Sequence, residues 1–310
     1  MICETCADRY NLAVVEGLYS PGRNERPMTV GIVAQRDNDR AMALASTLTA
    51  RLREVSAPVA VDETTGEALS DHDAWEAATP SSRPVGTMDE CALVVSIGGD
   101  GTFLYAARGA GSTPIMGVNL GEVGFLNAIA PEEAVETVVA EVEHIQKTGS
   151  ARTRAMPRLQ ASGEDWELAA ALNEVVVQGS HRGSGGGNEF EVRVDGTTYT
   201  SGHSDGVLVA TPTGSTAYNL SEGGPLVHPA VGGLVVTGMA QTDGMPPLVV
   251  DADSDVTVAL EAAESGVVVS DGRLRQELTP PTEVSLSRAS EPIRLAGPPL
   301  DFFTALGKLG

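Results

Sequence analysis

The chain has 310 residues, 42% of them hydrophobic, with 20 Lys plus Arg against 42 Asp plus Glu and a formal net charge of −22. That length and apolar content bury a sizeable core and predict two domains, while no apolar run approaches the ~18 residues needed to span a bilayer. The acidic surface excludes nucleic acid and anionic membranes as partners, and with Lys147 and Lys308 as the only lysines the composition reads as adaptation to high salt.

Residues 1–27 carry charged and turn residues, including Pro21-Gly22, and form an N-terminal extension. They lack the charged-then-apolar pattern of a secretion signal, which predicts a cytoplasmic protein. Cys3 and Cys6 make one Cys-x-x-Cys, short of the four ligands of a structural zinc site, and read as an incidental pair. Residues 29–34 predict a buried strand, and 40–55 a helix with Met42, Ala45, Leu48 and Leu52 on one face. A second strand follows at 58–61. Residues 62–89 are acidic and rich in Ser, Thr, Pro and Gly, which predicts a surface segment with at most a short helix over 73–78.

The apolar run 92–97 leads into Gly98-Gly99-Asp100-Gly101-Thr102 and then Phe103-Leu104-Tyr105-Ala106-Ala107, a strand, tight turn and helix. Three glycines in four positions let backbone N–H groups approach an anion, and the helix start adds partial positive charge. Asp100 is the exception. A pure phosphate cradle would avoid a carboxylate, so Asp100 points to a magnesium ligand or to a base acting on a hydroxyl. The loop reads as a phosphoryl-transfer site. Residues 114–120 predict another strand before Gly121 and Gly124, and 131–147 an amphipathic helix with Ala134, Val135, Val138, Val142 and Ile145 inward. Strands alternating with helices imply a parallel sheet whose ligands sit beyond the strands' carboxyl ends.

From Leu159 the pattern changes to period-two strands, expected at 167–177, 189–194, 207–210, 256–260, 266–270 and 283–287, and the second half reads as antiparallel β structure. Asn173-Glu174 heads one strand. Asn donates and accepts while Glu accepts, a pairing suited to the adjacent hydroxyls of a ribose. The stretch Ser204-Asp205-Gly206, through Thr211-Pro212-Thr213-Gly214-Ser215-Thr216-Ala217-Tyr218-Asn219-Leu220-Ser221, ends a strand in a hydroxyl-rich turn and opens a helix near Thr216. Clustered hydroxyls and free N–H groups can hold a nucleotide without cations. His72, His144 and His228 have no partner pattern and read as surface or packing residues.

These blocks, in this order, resemble the NAD kinase family, whose members carry Gly-Gly-Asp-Gly-Thr, then Asn-Glu, then Thr-Pro-Thr-Gly-Ser-Thr-Ala-Tyr. Asn119, Gly124-Phe125-Leu126, Ser270-Asp271-Gly272, Phe302-Phe303 and Lys308-Leu309 extend the match from about Met28 to the C-terminus. The resemblance implies an α/β domain with a parallel sheet over 28–150, a β-rich domain over 151–290, and a segment 291–310 returning to the first. It implies NAD held between the domains, ATP or polyphosphate with Mg²⁺ as donor, and a homodimer or homotetramer. Asp100 would take the proton of the adenosine-ribose 2′-hydroxyl, and Gly98, Gly99, Gly101 and Thr102 would hold donor phosphates, with Mg²⁺ riding on the nucleotide. Asn173 and Glu174 would contact the NAD ribose and Asp205 the nicotinamide end. Thr213, Thr216, Ala217, Tyr218, Asn219 and Ser221 would hold the adenosine part. His203 and Arg273 stand where the family often has Arg or Lys and commonly has Gln, both at NAD-facing positions. Lipid and sugar kinases share the Gly-Gly-Asp-Gly loop but not the Asn173-Glu174 and 211–218 blocks. A non-catalytic dinucleotide-binding paralogue would not need Asp100.

Overall fold

The computed structural model describes residues 28–70, 80–121, 124–181, 183, 187–241 and 244–307. The 1–27 extension with Cys3 and Cys6, His72, the expected 73–78 helix, Lys308 and Leu309 lie outside them.

Among the described residues the first half runs β1 (Val30–Ala34), α1 (Asp39–Glu54), β2 (Val59–Asp62), α2 (Glu63–Ser70), β3 (Ser81–Arg83), β4 (Leu93–Gly98), α3 (Asp100–Ala110), β5 (Ile115–Asn119) and α4 (Ala134–Thr148). Asn38 caps α1, its Oδ1 accepting from Arg40 N at 3.1 Å and Ala41 N at 3.3 Å, and the predicted stripe of Met42, Ala45, Leu48 and Leu52 is buried. The five strands pair in parallel in the order β3-β2-β1-β4-β5. One sheet face, with Val30, Ile32, Val95 and Val118, packs on α1 and α4. The other, with Val33, Val94 and Ile115, packs on Phe103, Ala106 and Ala110 of α3.

Residues 62–89 correct the expectation of a surface segment. Helix α2, edge strand β3 and a 3₁₀ turn over Val85–Glu90 occupy this region, and Thr65, Leu69 and Met88 are fully buried. Its polar composition hides the packing because α2 is anchored by side-chain bonds: Thr65 Oγ1 donates to the Asp62 carboxylate and accepts from Ala34 N at 2.8 Å.

The second half comprises β6 (Thr153–Met156), β7 (Leu159–Ser162), β8 (Glu174–Gly179), β9 (Asn188–Val194), β10 (Thr197–Ser204), β11 (Gly206–Ala210), α5 (Tyr218–Ser221), β12 (Gly233–Met239), β13 (Leu248–Asp251), β14 (Val256–Ala262), β15 (Gly266–Ser270), β16 (Leu274–Leu278), β17 (Thr282–Arg288), β18 (Ile293–Ala296) and α6 (Phe302–Leu306). Two antiparallel sheets form, ordered β10-β9-β14-β17-β7 and β13-β12-β11-β8-β15-β16. Alternate residues of both, among them Val175, Val177, Val192, Val209, Val258 and Val284, share one core. The strand expected over 167–177 begins only at Glu174. Residues 163–173 make a turn tied back by isolated bridges Leu159↔Ala171 and Ser162↔Glu167.

The sequence predicts no strand at β6, β7, β10, β12, β13, β16 or β18. β12 is a nearly continuous buried run, and β10 a polar edge strand, so neither carries clean alternation. Two strands from beyond residue 150 join the first sheet: β18 lies parallel to β5, and β6 antiparallel to β18. No helix of the described residues is long and apolar enough to cross a membrane.

Candidate active site

The glycine turn sits between the carboxyl end of β4 and the start of α3, with Gly99 as the N-cap. A Cβ on Gly98 would lie 2.6 Å from Thr102 Oγ1 and 2.9 Å from Gln35 Cβ, so Gly98 is required by the protein's own packing. Gly99 and Gly101 differ. A Cβ on either would meet no heavy atom within 4 Å, and Gly99 has an ordinary φ of −90°. The open space above these two backbone positions, at a helix start, is where a phosphate can approach. Gly98→Ala is therefore expected to cost about 1–3 kcal/mol of stability. Gly99→Ala should melt like the unmodified protein while raising the KM for the phosphate donor; thermal unfolding and donor kinetics on both variants check the contrast.

Asp100 begins α3, and its carboxylate turns toward the segment after β5. Oδ2 accepts from Phe125 N at 3.0 Å, and Oδ1 from Leu126 N at 3.2 Å and Asn127 Nδ2 at 3.1 Å. Burial raises its pKa above the ordinary 3.8, and the three donors oppose the rise. Among the described residues no group of three or more His, Cys, Asp or Glu is placed to hold a metal ion, and both Asp100 oxygens are already engaged.

Phe125 and Leu126 line a cavity of about 270 Å³ together with Thr213, Thr216 and His228. Arg154, Met156, Leu295, Leu300 and Phe302 line it too, so strands of the first sheet and α6 complete the wall. The lining comes from both halves of the chain, and two of its residues, Phe125 and Leu126, are those whose backbone N–H groups hold Asp100.

Asn173 and the 211–216 turn are locked together. Thr211 N donates to Asn173 O at 2.8 Å, Thr211 Oγ1 to Leu172 O at 2.6 Å, and a Cβ on Gly214 would come within 2.0 Å of Asn173 O. Only glycine permits that approach. Asp271 fixes the other side. It lies at φ 45° with Gly272 at φ 68° in the tight β15–β16 turn, and its carboxylate accepts from Leu172 N, Asn173 N and Glu174 N at 2.8–3.3 Å. Asn173 and Glu174 are each 7% exposed, yet Asn173 Oδ1, Glu174 Oε2 and Thr213 Oγ1 are buried without a hydrogen-bond partner. Buried polar atoms are ordinarily paired, so three orphans around one turn point to a ligand that supplies the missing partners. Burial first, then the Asp271 charge, push the Glu174 carboxyl up to about 8 against a partly compensating N–H from Tyr218.

The structure does not gather every expected residue here. The turn predicted to open a helix near Thr216 is a 3₁₀ turn over Thr213–Thr216, then the short α5, broken at Ala217. Thr216 and Ala217 are half-buried, and Tyr218 and Ser221 are exposed on the same turn. Asn219 is fully buried and spent internally: Nδ2 donates to Ser215 O and Pro225 O, and Oδ1 accepts from Thr237 Oγ1 at 2.8 Å. It shapes the turn from behind. His203 and Asp205 stand at the opposite end of β11 from Thr211, roughly 20 Å along the strand by its rise. The Asp205 carboxylate there accepts from Gly183 N at 3.0 Å, and His203 is exposed on β10. Arg273 is exposed just past the Asp271 turn. Several residues with no assigned role in the motif reading join the site: Asn127, Asp271, Phe302 and His228, the last expected only on the surface or in packing. Arg108 of α3 adds a charge acting on Asp271, its Nε and Nη2 buried without partners. Their signal is spatial. Each is distant in sequence from the block it supports.

The ATP-NAD kinase N-terminal domain model matches residues 30–146, and the ATP-NAD kinase C-terminal domain model residues 172–297. The chain belongs to the NAD kinase family. The kinase is 77% identical over 282 residues to the NAD kinase of Haloarcula marismortui, covering 91% of this chain and 100% of that one. It is 55% identical over 282 residues to the NAD kinase of Halorubrum lacusprofundi, with the same coverage, and 34% identical over 286 residues to that of Cellvibrio japonicus, 88% of this chain and 92% of that one. Relatives from halophilic archaea accord with its acidic, lysine-poor composition. Among solved structures the fold is similar to yeast NADH kinase complexed with NADH, at TM-score 0.79 and 22% identity, covering 91% of this chain and 87% of that one. It is also similar to an NAD kinase from Archaeoglobus fulgidus in complex with ATP, at TM-score 0.72 and 24% identity, covering 91% and 100%.

Proposed function

We propose that this kinase makes NADP from NAD in the cavity between its two halves, with Asp100 accepting the proton of the adenosine-ribose 2′-hydroxyl as that oxygen attacks the γ-phosphorus of ATP. The observation that supports this reading most is that Phe125 and Leu126, whose N–H groups hold the Asp100 carboxylate, line a cavity together with Thr213, whose hydroxyl is buried without a partner. The 2′-oxygen forms a bond to phosphorus, the bond to the β-phosphate bridging oxygen breaks with its electron pair leaving on ADP, and the hydroxyl proton passes to Asp100. Gly99 and Gly101 would offer backbone N–H groups to the transferred phosphate, and a Mg²⁺ carried by the nucleotide would offset its charge. Asn173 and Glu174 hold the ribose hydroxyls, with Thr213, Thr216, Ala217, Tyr218 and Ser221 on the adenosine side.

At molar salt the Debye length is only ~3 Å, so the net charge of −22 offers little long-range repulsion to an anionic nucleotide. Short-range donors then decide binding. His203, Asp205 and Arg273 are assigned to the outer reach of the dinucleotide, and the working form is taken to be a cytoplasmic homodimer or homotetramer. Purified protein at high salt, given NAD, ATP and Mg²⁺, should produce NADP by enzymatic detection. Binding without product would favour a non-catalytic paralogue, and neither would favour a lipid or sugar kinase. Polyphosphate and NADH in parallel reactions define donor and acceptor range.

A further inference from the structure

We propose that Phe302 of the C-terminal helix α6 is a positioning residue for phosphoryl transfer, wedged between Phe125 and His228 so that the 125–127 segment stays seated on the Asp100 carboxylate. This rests on the reading of Asp100 as the base. The route begins where β18 returns to the first sheet beside β5. Arg154 Nη1 then donates to the carbonyls of Gly297 and Pro298 at 3.3 and 3.1 Å, fixing the exit from that strand. Asp301 caps α6, accepting from Thr304 N at 3.0 Å and Thr304 Oγ1 at 2.7 Å, which sets the rotation of the short helix. With that rotation Phe302 is 7% exposed and its neighbour Phe303 is 73% exposed.

The Phe302 ring lies 6.2 Å from Phe125, on the first-domain side, and 5.1 Å from His228, edge-on, on the second-domain side. Both separations suit attractive aromatic contact. Phe125 carries the N–H that donates to Asp100 Oδ2, and its neighbours Leu126 and Asn127 supply the two donors to Oδ1. One ring therefore braces, through a single residue, the segment bearing all three hydrogen bonds to the base. Donors aimed at the charged form hold a carboxyl pKa down, so a loosened 125–127 segment would let the Asp100 pKa climb further. The groups bearing on this path are Asp100 itself, acted on by burial and those three donors, His228 against the ring, and Asp301 at the cap.

The test is kcat against pH for Phe302→Ala, Phe302→Leu, Phe303→Ala and Asp100→Asn in the full-length protein, each with a thermal melt. Phe302→Ala is expected to lower kcat by between about tenfold and a hundredfold, since small misplacements at a reacting centre cost that much. Its acid limb should move up by about half a unit. Phe302→Leu refills most of the volume and should recover much of both losses, while Phe303→Ala, which removes a ring 5.7 Å from Phe302 and 5.8 Å from His228 but leaves the Phe302–Phe125 contact in place, should lose less than Phe302→Ala. A fall in kcat with an unmoved acid limb would overturn the positioning role, as would unchanged kinetics in Phe302→Ala; should that variant fail to fold, Phe302→Leu is expected to keep a measurable part of both effects, and a fall in its kcat with an unmoved acid limb, or no measurable effect on either, overturns the role. Should Asp100→Asn keep its turnover, the base assignment fails and this role fails with it; lost turnover in Asp100→Asn beside normal Phe302 variants sinks the positioning role alone.

Discussion

Asp100→Asn is expected to lower kcat by about 10² to 10⁴ while NAD still binds, because a positioned general base contributes about that much to attack by a hydroxyl. The effect is large because a secondary hydroxyl is a weak nucleophile, and phosphoryl transfer otherwise needs little from the protein beyond positioning and charge neutralisation. Asparagine keeps one acceptor oxygen for the Phe125, Leu126 and Asn127 donors and turns its own amide toward the rest, so a loss of about 1–3 kcal/mol in stability accompanies the kinetic effect. Measuring kcat and NAD affinity on the same preparation separates the two. As the proposed base, Asp100 would work only when ionised, and burial raises its pKa, so the acid limb of kcat should lie above the ordinary aspartate value of 3.8. Turnover that survives in Asp100→Asn would remove Asp100 from the chemistry.

Glu174 carries the second large expectation, in stability. Its carboxyl titrates at about 8 in the folded protein against an ordinary 4.5, pushed up by burial and then by Asp271. Between those values the unfolded chain has an ionised Glu174 and the folded chain a protonated one, so folding takes up a proton. The stability associated with the neutral carboxyl is fully present below pH 4.5 and is lost as pH rises through about 8, a change on the order of 5 kcal/mol. Glu174→Gln keeps a neutral side chain of the same shape and should abolish this component, so that the variant gains on the unmodified protein as pH rises from 5 to 8.5. Unfolding free energies at fixed high salt across that range provide the comparison; parallel pH dependences in the two proteins would contradict the assignment. The same titration bears on substrate. Below about 8 the protonated carboxyl can donate to a ribose oxygen, and above it a charge appears beside Asp271, so the KM for NAD should rise on the alkaline side and stay flat in Glu174→Gln.

Both expectations depend on residues legible in the sequence for different reasons. The glycine turn was legible because three glycines and an aspartate between an apolar run and a helix face have few structural uses, and the strand-turn-helix arrangement follows from local sequence alone. Asn173, Glu174 and the 211–221 block were legible as polar clusters at strand ends, and their order along the chain carried the family resemblance. The parallel first sheet and the antiparallel second half followed from the change in hydrophobic period. Less was legible where side chains rather than periodicity hold an element. Helix α2 is tied down by Asp62 and Thr65, β12 is buried on both faces, and Asn219 reads as a ligand contact until Ser215, Pro225 and Thr237 are seen to occupy it.

The sequence by itself determined the strand–turn–helix form of the Gly98-to-Thr102 loop and the one carboxylate in it, because backbone access at a helix start and a single charged side chain are local properties. Only the tertiary structure decided what faces that carboxylate. The donors to Asp100 come from residues 125–127, the clamp on Asn173 and Glu174 from Asp271, and the cavity wall from His228 and Phe302, each brought in across tens to hundreds of residues of chain. Hydrogen bonds, desolvation and ring contacts act over a few ångströms of space. Position along the chain does not encode that proximity, and it arises here from β18 and β6 joining the first sheet and from the packing of the second half against it.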